Sequence, residues 1–348
     1  MSRPVPVCCE KGVVRLNIND VAKEAGVSRG SVSNYLNHRS VSDKMRVKIQ
    51  RAISDLNYVP NTAAQDLRSK GSRFVVFIIP TVWEPYLSEL TYYVQSYLTD
   101  HGFKMILCVS DSEFDKEREF IDLAEGQKAA GIISISYSQM NEHVKPTMPL
   151  VSIEKEPTGR FPLVSSDNYQ GGKLAAETLN NLGSKKLIYV GAKEMPSDAM
   201  VARLSGFADY CSGNGLQFDK YQLSSFRKRS EVDKELSVIL ADLKKRDQLT
   251  QAGIFASSDD YALIIYKMLL QMKVRVPEDV QLIGFNGSRT SMSDEPVLSS
   301  IRQPVEKIAE TAVLELEKKI AENKDDGEPT APSRIFLPVS FQKGETTV

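Results

Sequence analysis

Histidine, tryptophan and cysteine are scarce in this chain of 348 residues, and the scarcity excludes several kinds of chemistry. The three histidines, His38, His101 and His143, stand at spacings that suit neither a metal site nor a nucleophile with its base. Of the four cysteines, Cys8 and Cys9 are adjacent, Cys108 lies in an apolar run and Cys211 is alone. No CxxC pair or Cys/His cluster occurs, so neither structural zinc nor a disulfide framework is supported, and Cys108 reads as a buried free thiol. GxSxG, P-loop, GxGxxG and HExxH patterns are all missing, which argues against an enzyme and gives no cofactor or metal to expect. No apolar run reaches the roughly 18 residues of a membrane span. The first residues lack the apolar stretch of a signal peptide, so a reducing cytoplasm is the expected location and no membrane contact is expected.

The net charge of −1 conceals an uneven distribution. Residues 1–73 hold 13 Lys and Arg against 6 Asp and Glu, a balance of +7, whereas the remainder holds 31 against 39, a balance of −8. A basic head on an acidic body fits a polyanion-binding module joined to a domain with another task. On charge alone, a merely lysine-rich surface stays open as the other reading.

Residues 1–15, with Pro4, Pro6 and Gly12, show no periodicity and read as a flexible leader. Three short helical patterns follow. The first begins at Asn17, which can cap the first turn, carries Ile18, Val21, Ala22 and Ala25 on one face, and stops at Gly26. The second opens at Ser28 and runs to Leu36. The third opens at Ser42 and runs to about residue 56, with an expected stripe of Val47, Ala52, Ile53 and Leu56 and with Met45 and Ile49 nearby. Pro60 ends this unit. Residues 61–68 form a short, marginal helical pattern, and 69–72 read as a linker.

From Arg73 onward, apolar β-rich runs alternate with amphipathic helical stretches. Strands are expected at 74–80, 104–109, 131–135, 150–153, 186–191, 253–256, 280–284 and 335–338. Helices are expected at 86–101, 114–129, 170–182, 199–212, 231–246, 261–272 and 305–322. Strands without polar alternation, separated by helices, indicate parallel sheets covered on both faces. The length suits two α/β lobes rather than one sheet. The fold class is therefore α/β behind an N-terminal all-α headpiece.

Three helices in about 40 residues, with a glycine-bearing tight turn between the first two, describe a helix-turn-helix unit, whose second helix enters the DNA major groove. Its leading side chains are Arg29, suited to guanine, and Asn34, suited to adenine. Ser28, Ser31 and Asn37 are short donors placed for phosphates. Gly30 is unfavourable inside a helix by about 1 kcal/mol relative to alanine, which close backbone approach to the groove floor would explain.

Residues 16–80 resemble the LacI/GalR family of bacterial transcription regulators. The resemblance rests on a string at fixed spacing: Asp20, Val21 and Ala22; Ala25-Gly-Val-Ser28; Val32 and Ser33; Leu36 and Asn37; Val41 and Ser42; Leu56-Asn-Tyr-x-Pro-Asn61; Ala64 and Leu67. It implies base contacts at Arg29, Gly30 and Asn34. It also implies a hinge helix at 61–68 that folds on the operator through Asn61, Ala64 and Leu67, with Leu67 wedged into a minor-groove step. An apolar wedge costs a few kcal/mol of unstacking and bends the duplex onto more protein. Asn34, Gly30 and Asp66 depart from the family's usual residues and bear on which operator is read.

Further stretches resemble the same family: Val164 to Gly171, Ala202 to Phe207, Phe255 to Asp259, Val280 to Phe285 and Ile301 to Pro304. They imply a two-lobed domain similar to periplasmic sugar-binding proteins, with parallel sheets and a small-molecule effector, a sugar or sugar derivative, in the cleft. The implied organisation is a leader at 1–15, a helix-turn-helix domain at 16–59, a hinge and linker at 60–72, and an effector-binding and dimerisation domain at 73–348. Its N-lobe is expected at about 73–168 and 303–330, and its C-lobe at about 169–302 and 331–348.

By position, Arg203 is the foremost effector contact, since a guanidinium suits vicinal hydroxyls or an anion. Trp83 and Tyr86 follow the first strand of this domain and suit a sugar face. Asp259 and Gln303 are weaker candidates. Ser258 stands where the family usually has asparagine, and Asn286 where it usually has aspartate. The lost carboxylate suggests an unusual sugar, a phosphorylated or anionic ligand, or a weakened site, and Lys155, Arg160 and Lys193 would then meet an anion. The implied function is a homodimeric repressor of a pseudo-palindromic double-stranded DNA operator. Control by a phosphorylated carrier protein and a solute-binding protein without a DNA role remain the alternatives.

Overall fold

The computed structural model describes residues 16–36, 39–58, 72–136, 143–155, 160–193, 198–224, 229–289, 295–323 and 331–348. The chain divides into two compact units, one up to Ser72 and one from Arg73 onward.

In the first unit α1 (Ile18–Ala25), α2 (Arg29–Leu36) and α3 (Asp43–Asp55) surround one small core. Asn17 and Asp20 close a reciprocal cap on α1: the Asn17 side chain accepts from the Asn19 amide at 2.8 Å, and the Asp20 carboxylate accepts from the Asn17 amide at 2.7 Å. Gly26 ends α1 in the left-handed conformation at φ 62°. Ser28 caps α2 by accepting from the Ser31 amide at 3.1 Å, whereas Ser42 precedes α3 without a side-chain cap bond. The stripe expected on α3 is corrected. Ile49, Ala52, Ile53 and Leu56 face the core, while Val47 is 66% exposed. Val47 lies two residues from Ile49, about 200° around the helix, and therefore points the other way.

The second unit has two lobes of α/β/α layering. The N-lobe sheet runs in the order β11–β5–β4–β3–β1–β2, all parallel. Its strands are β1 (Phe74–Ile79), β2 (Lys104–Val109), β3 (Gly131–Ser134), β4 (Leu150–Ile153), β5 (Leu163–Ser166) and β11 (Arg334–Leu337). Helices α4 (Pro85–Asp100) and α10 (Val305–Glu322) cover one face, and α5 (Phe114–Gly126) covers the other. The C-lobe sheet runs in the order β12–β10–β9–β8–β6–β7. Its strands are β6 (Lys186–Ala192), β7 (Phe218–Leu223), β8 (Ala252–Ala256), β9 (Val280–Asn286), β10 (Ser299–Arg302) and β12 (Ser340–Gln342), the last antiparallel to β10. Helices α6 (Asn168–Asn181) and α7 (Asp198–Gly213) lie on one face, and α8 (Arg229–Lys245) and α9 (Asp259–Gln271) on the other. Strands β1, β3, β4 and β8 are buried almost throughout, as parallel strands between two helical layers must be.

Four strands lie outside the sequence expectation: β5, β7, β10 and β12. Residues 331–348 do not belong wholly to the C-lobe, because β11 pairs with β5 of the N-lobe and only β12 joins the other sheet. The chain consequently crosses between lobes three times, after β5, after β10 and after β11. The crossings are bonded to one another. The Ser166 hydroxyl donates to Gln303 Oε1 at 2.7 Å, Gln303 Nε2 donates to Asn286 Oδ1 at 2.8 Å, and the Asp167 amide donates to the Leu337 carbonyl at 2.8 Å.

Two glycines set the C-lobe's tightest packing. A Cβ on Gly172 of α6 would stand 1.9 Å from the Arg203 carbonyl oxygen of α7. One on Gly206 of α7 would stand 1.9 Å from the Tyr169 carbonyl oxygen of α6. The reciprocal pair lets the two backbones meet and fixes the position of Arg203.

Candidate functional site

On the headpiece, Val32 of α2 is fully buried, while Ser28, Arg29, Gly30 and Asn34 are exposed. Gly30 and Asn34 are one turn apart, so α2 offers a polar outer face above its buried seam. The hydroxyls of Ser28 and Ser31 lie 3.0 Å apart, and only one can donate to the other, so an O–H remains for an outside acceptor. Asn37 and the expected hinge contacts Asn61, Ala64 and Leu67 lie outside the described residues.

A Cβ on Gly30 would meet only the Ser28 hydroxyl oxygen, at 3.6 Å, an ordinary contact. Among the described residues the fold therefore does not require a glycine at this position. Gly30→Ala should leave thermal stability unchanged or raise it by up to about 1 kcal/mol. If the expected base-contact role holds, it should also change operator affinity by about tenfold or more in a gel-shift titration; unaltered affinity would contradict that expectation.

In the second unit a cavity of about 560 Å³ opens between the two sheets. Its walls come from the C-terminal ends of strands in both lobes: Thr81, Trp83 and Glu84 after β1, Glu154 after β4, Ser258 and Asp260 after β8, and Asn286 at the end of β9. This is where open α/β sheets bind ligands. Tyr86, Arg203 and Gln303 line it as well, so the structure gathers six of the seven expected effector residues at one place. Trp83 is 91% exposed at this cavity, available for stacking.

Asp259 is not among the lining residues. Its carboxylate accepts from the Ser300 hydroxyl at 2.6 Å and the Ser288 amide at 2.8 Å, tying together the ends of β9 and β10. Burial pushes it up to about 6 against these hydrogen bonds. Its neighbour Asp260 faces the cavity instead, since one step along a helix turns a side chain by about 100°. Lys155, Arg160 and Lys193 do not line the cavity either. Lys155 is lowered by burial and held near Glu117 and Asp198.

Arg203 is 5% exposed and fixed on every side. Its Nε donates to Asn168 Oδ1 at 2.8 Å, Nη1 donates to the Ser257 carbonyl at 2.8 Å, and the guanidinium lies 3.6 Å from the centre of the Phe285 ring. Its Nη2 is 3.9 Å from Glu154 Oε2. Glu154 in turn accepts from the Ser166 amide at 2.8 Å and from Asn168 Nδ2 at 2.9 Å. The network spans the lobes, because Glu154 follows β4 and Arg203 belongs to α7. Glu154 at φ 64° and Asn286 at φ 125° hold left-handed backbone that favours glycine, and both line the cavity. Strain of this kind gathers at binding sites. The sequence reading missed Glu84, Glu154, Arg229 and Asp260. An adjacent Glu84 and Trp83 after an apolar strand was the one available signal.

Residues 17–61 match the lacI family of bacterial regulatory proteins, and residues 176–347 match a periplasmic binding protein-like domain. The chain is 33% identical over 331 residues to the sucrose operon repressor of Streptococcus mutans serotype c, covering 94% of this chain and 98% of that one. The chain belongs to the lacI family of bacterial regulatory proteins. It is also 30% identical to the ribose operon repressor of Bacillus subtilis strain 168, over 95% of this chain and 98% of that one. The lac repressor dimer bound to operator and the anti-inducer ONPF has the same fold, with a TM-score of 0.78 at 22% identity over 96% of this chain and 99% of that one. As a lacI-family member the protein is a DNA-binding transcription regulator with a periplasmic-binding-protein-like domain, and the family is not one of enzymes. Among the described residues no helix is long and apolar enough to cross a membrane.

Proposed function

We propose that the protein is a cytoplasmic, homodimeric repressor that binds a pseudo-palindromic operator and loses or gains DNA affinity when a sugar enters the inter-lobe cavity. The observation that carries this reading is the cavity itself. It falls within the roughly 300–1,000 Å³ of small-molecule sites, sits at the strand ends of both lobes, and brings together Arg203, Asn286 and Trp83. Asn286 Oδ1 is taken by Gln303, which leaves its Nδ2 as a donor toward a hydroxyl. Relatives named as sucrose and ribose operon repressors support a sugar, and the lac repressor dimer on its operator supports a twofold arrangement. Protein twofold symmetry is then mirrored in the DNA half-sites. Arg29, Gly30 and Asn34 read bases, Ser28, Ser31 and Asn37 position the backbone, and Asn61, Ala64 and Leu67 act in the minor groove.

Two measurements test it. Trp83 is the only tryptophan, so its fluorescence reports ligand at the cavity directly. Titration with sucrose, ribose, fructose and their phosphate esters should shift it for at least one of them, and the same compound should change operator affinity. If none acts but a phosphorylated carrier protein does, the small-molecule reading fails. On the DNA side, Leu67→Ala should weaken specific binding by about tenfold or more while leaving non-specific binding nearly unchanged. Equal losses would overturn the wedge.

A further inference from the structure

An ion pair outside the cavity joins the lobes as well. Arg302, the last residue of β10 in the C-lobe, forks onto Glu89 of α4 in the N-lobe: Nη1 donates to Glu89 Oε2 at 2.9 Å and Nη2 donates to Glu89 Oε1. The two side chains are only 19% and 16% exposed. Backbone aims the arginine. Its Nη1 also donates to the Gly287 carbonyl at 2.6 Å, and Gly287 sits at φ 63°. A Cβ on Gly287 would stand 2.6 to 2.8 Å from the Cδ, Cα and Cβ atoms of Arg302, so only glycine lets the arginine stem lie down on this turn. Both ends of the pair adjoin the cavity without lining it. Glu89 follows Tyr86 by about one turn of α4, and Arg302 pairs with Asn286 across the ladder and precedes Gln303. Tyr86, Asn286 and Gln303 all line the cavity.

We propose that Glu89 and Arg302 are positioning residues that latch the two lobes in the arrangement of this structure and thereby set the operator affinity of the ligand-free protein. The latch rests on geometry, and its effect on DNA rests on the proposed coupling of the lobes to the headpiece. A bidentate fork needs both carboxylate oxygens in the guanidinium plane, so a small displacement of α4 from the end of β10 loses both bonds together. Two largely buried charges are then left without partners, which costs more than forming the pair gains. The contact is therefore made or broken, not graded. The bonds from Ser166 to Gln303 and from Gln303 to Asn286 are neutral and tie the crossing segments to one another. The fork instead ties a helix of one lobe to a strand of the other. A ligand that touches Tyr86 on one side and Asn286 or Gln303 on the other bears on both anchors of the fork. It rearranges the lobes only by a preference for the second arrangement that exceeds the latch.

The test compares the full-length protein with Glu89→Gln, which keeps the shape and removes the charge, and with Arg302→Gln, Arg302→Lys and the double Gln variant, all without ligand. Inter-lobe distance is read by pulsed electron spin resonance between labels at Leu123→Cys of α5 and Val238→Cys of α8, both exposed positions. Cys8→Ser and Cys9→Ser remove competing labels, and excess unlabelled protein confines the signal to single chains. Operator affinity is read on a duplex selected from a random pool. Glu89→Gln should shift or broaden the distance distribution and change operator affinity by about fivefold or more. The double variant should match the single Gln variants, because one shared contact is lost. Arg302→Lys keeps the charge without the fork and should fall between. Unchanged distances in Glu89→Gln and Arg302→Lys overturn the latch, and these two variants decide if Arg302→Gln does not fold. Changed affinity with unchanged distances also overturns it. Changed distances with unchanged affinity uphold the latch and overturn its effect on DNA, together with the coupling of lobes to headpiece.

Discussion

Arg203→Ala is expected to abolish the response of DNA binding to any cavity ligand while the headpiece continues to bind operator. The guanidinium is 5% exposed, bonded to Asn168 and the Ser257 carbonyl, and packed on Phe285. If the guanidinium bonds a cavity ligand as proposed, alanine removes those charged hydrogen bonds, a loss on the order of 10- to 100-fold in affinity. It also leaves Glu154, only 8% exposed, without its facing cation, which costs about 3–5 kcal/mol when the charge is buried. Thermal melting separates the two effects. Arg203→Lys keeps the charge but not the planar fork, so it should recover part of the stability and little of the ligand affinity. An Arg203→Ala protein whose operator affinity still responds to the same sugar at the same concentration would show that Arg203 only supports the fold.

Gly172→Ala and Gly206→Ala should be the most destabilising single-methyl changes in the second unit. Each added Cβ would fall 1.9 Å from a backbone carbonyl oxygen of the facing helix, and backbone cannot rotate away as a side chain can. Losses above about 4 kcal/mol are expected, the range reserved for severe overpacking. Gly172 presses on the Arg203 backbone itself, so any folded variant should also lose ligand affinity. Gly213→Ala, on the same helix α7 with nothing within 4 Å, is the control and should be neutral or slightly stabilising. Equal melting temperatures for Gly172→Ala and Gly213→Ala would contradict the close approach of α6 and α7.

Much of this architecture is legible in the residues because long apolar strands and amphipathic helices carry their burial in their composition. Strands β1, β3, β4 and β8 announce themselves that way. Strands β5, β7, β10 and β12 do not, since Phe218–Leu223 is polar along an edge and the other three are short and carry two apolar residues or fewer. Their identity comes from the neighbours they pair with. The split of β11 and β12 between lobes is likewise a matter of pairing partner, which no local pattern encodes. In the cavity, position alone singles out Arg203, Ser258, Asn286 and Gln303, yet it selects Asp259 where Asp260 faces the ligand space. The distinction is a rotation about the start of α9, settled by Ser288 and Ser300 capturing Asp259.

The account's central claim is that one ligand at the cavity controls the DNA-reading headpiece. The most direct measurement selects a pseudo-palindromic duplex from a random pool with the full-length protein, then follows its binding by fluorescence anisotropy and Trp83 emission together as a neutral sugar is added. The account predicts that one sugar changes both signals over the same concentration range, and that Arg203→Ala removes both changes. A sugar that shifts Trp83 emission with no effect on DNA affinity, at any concentration up to saturation, would contradict it.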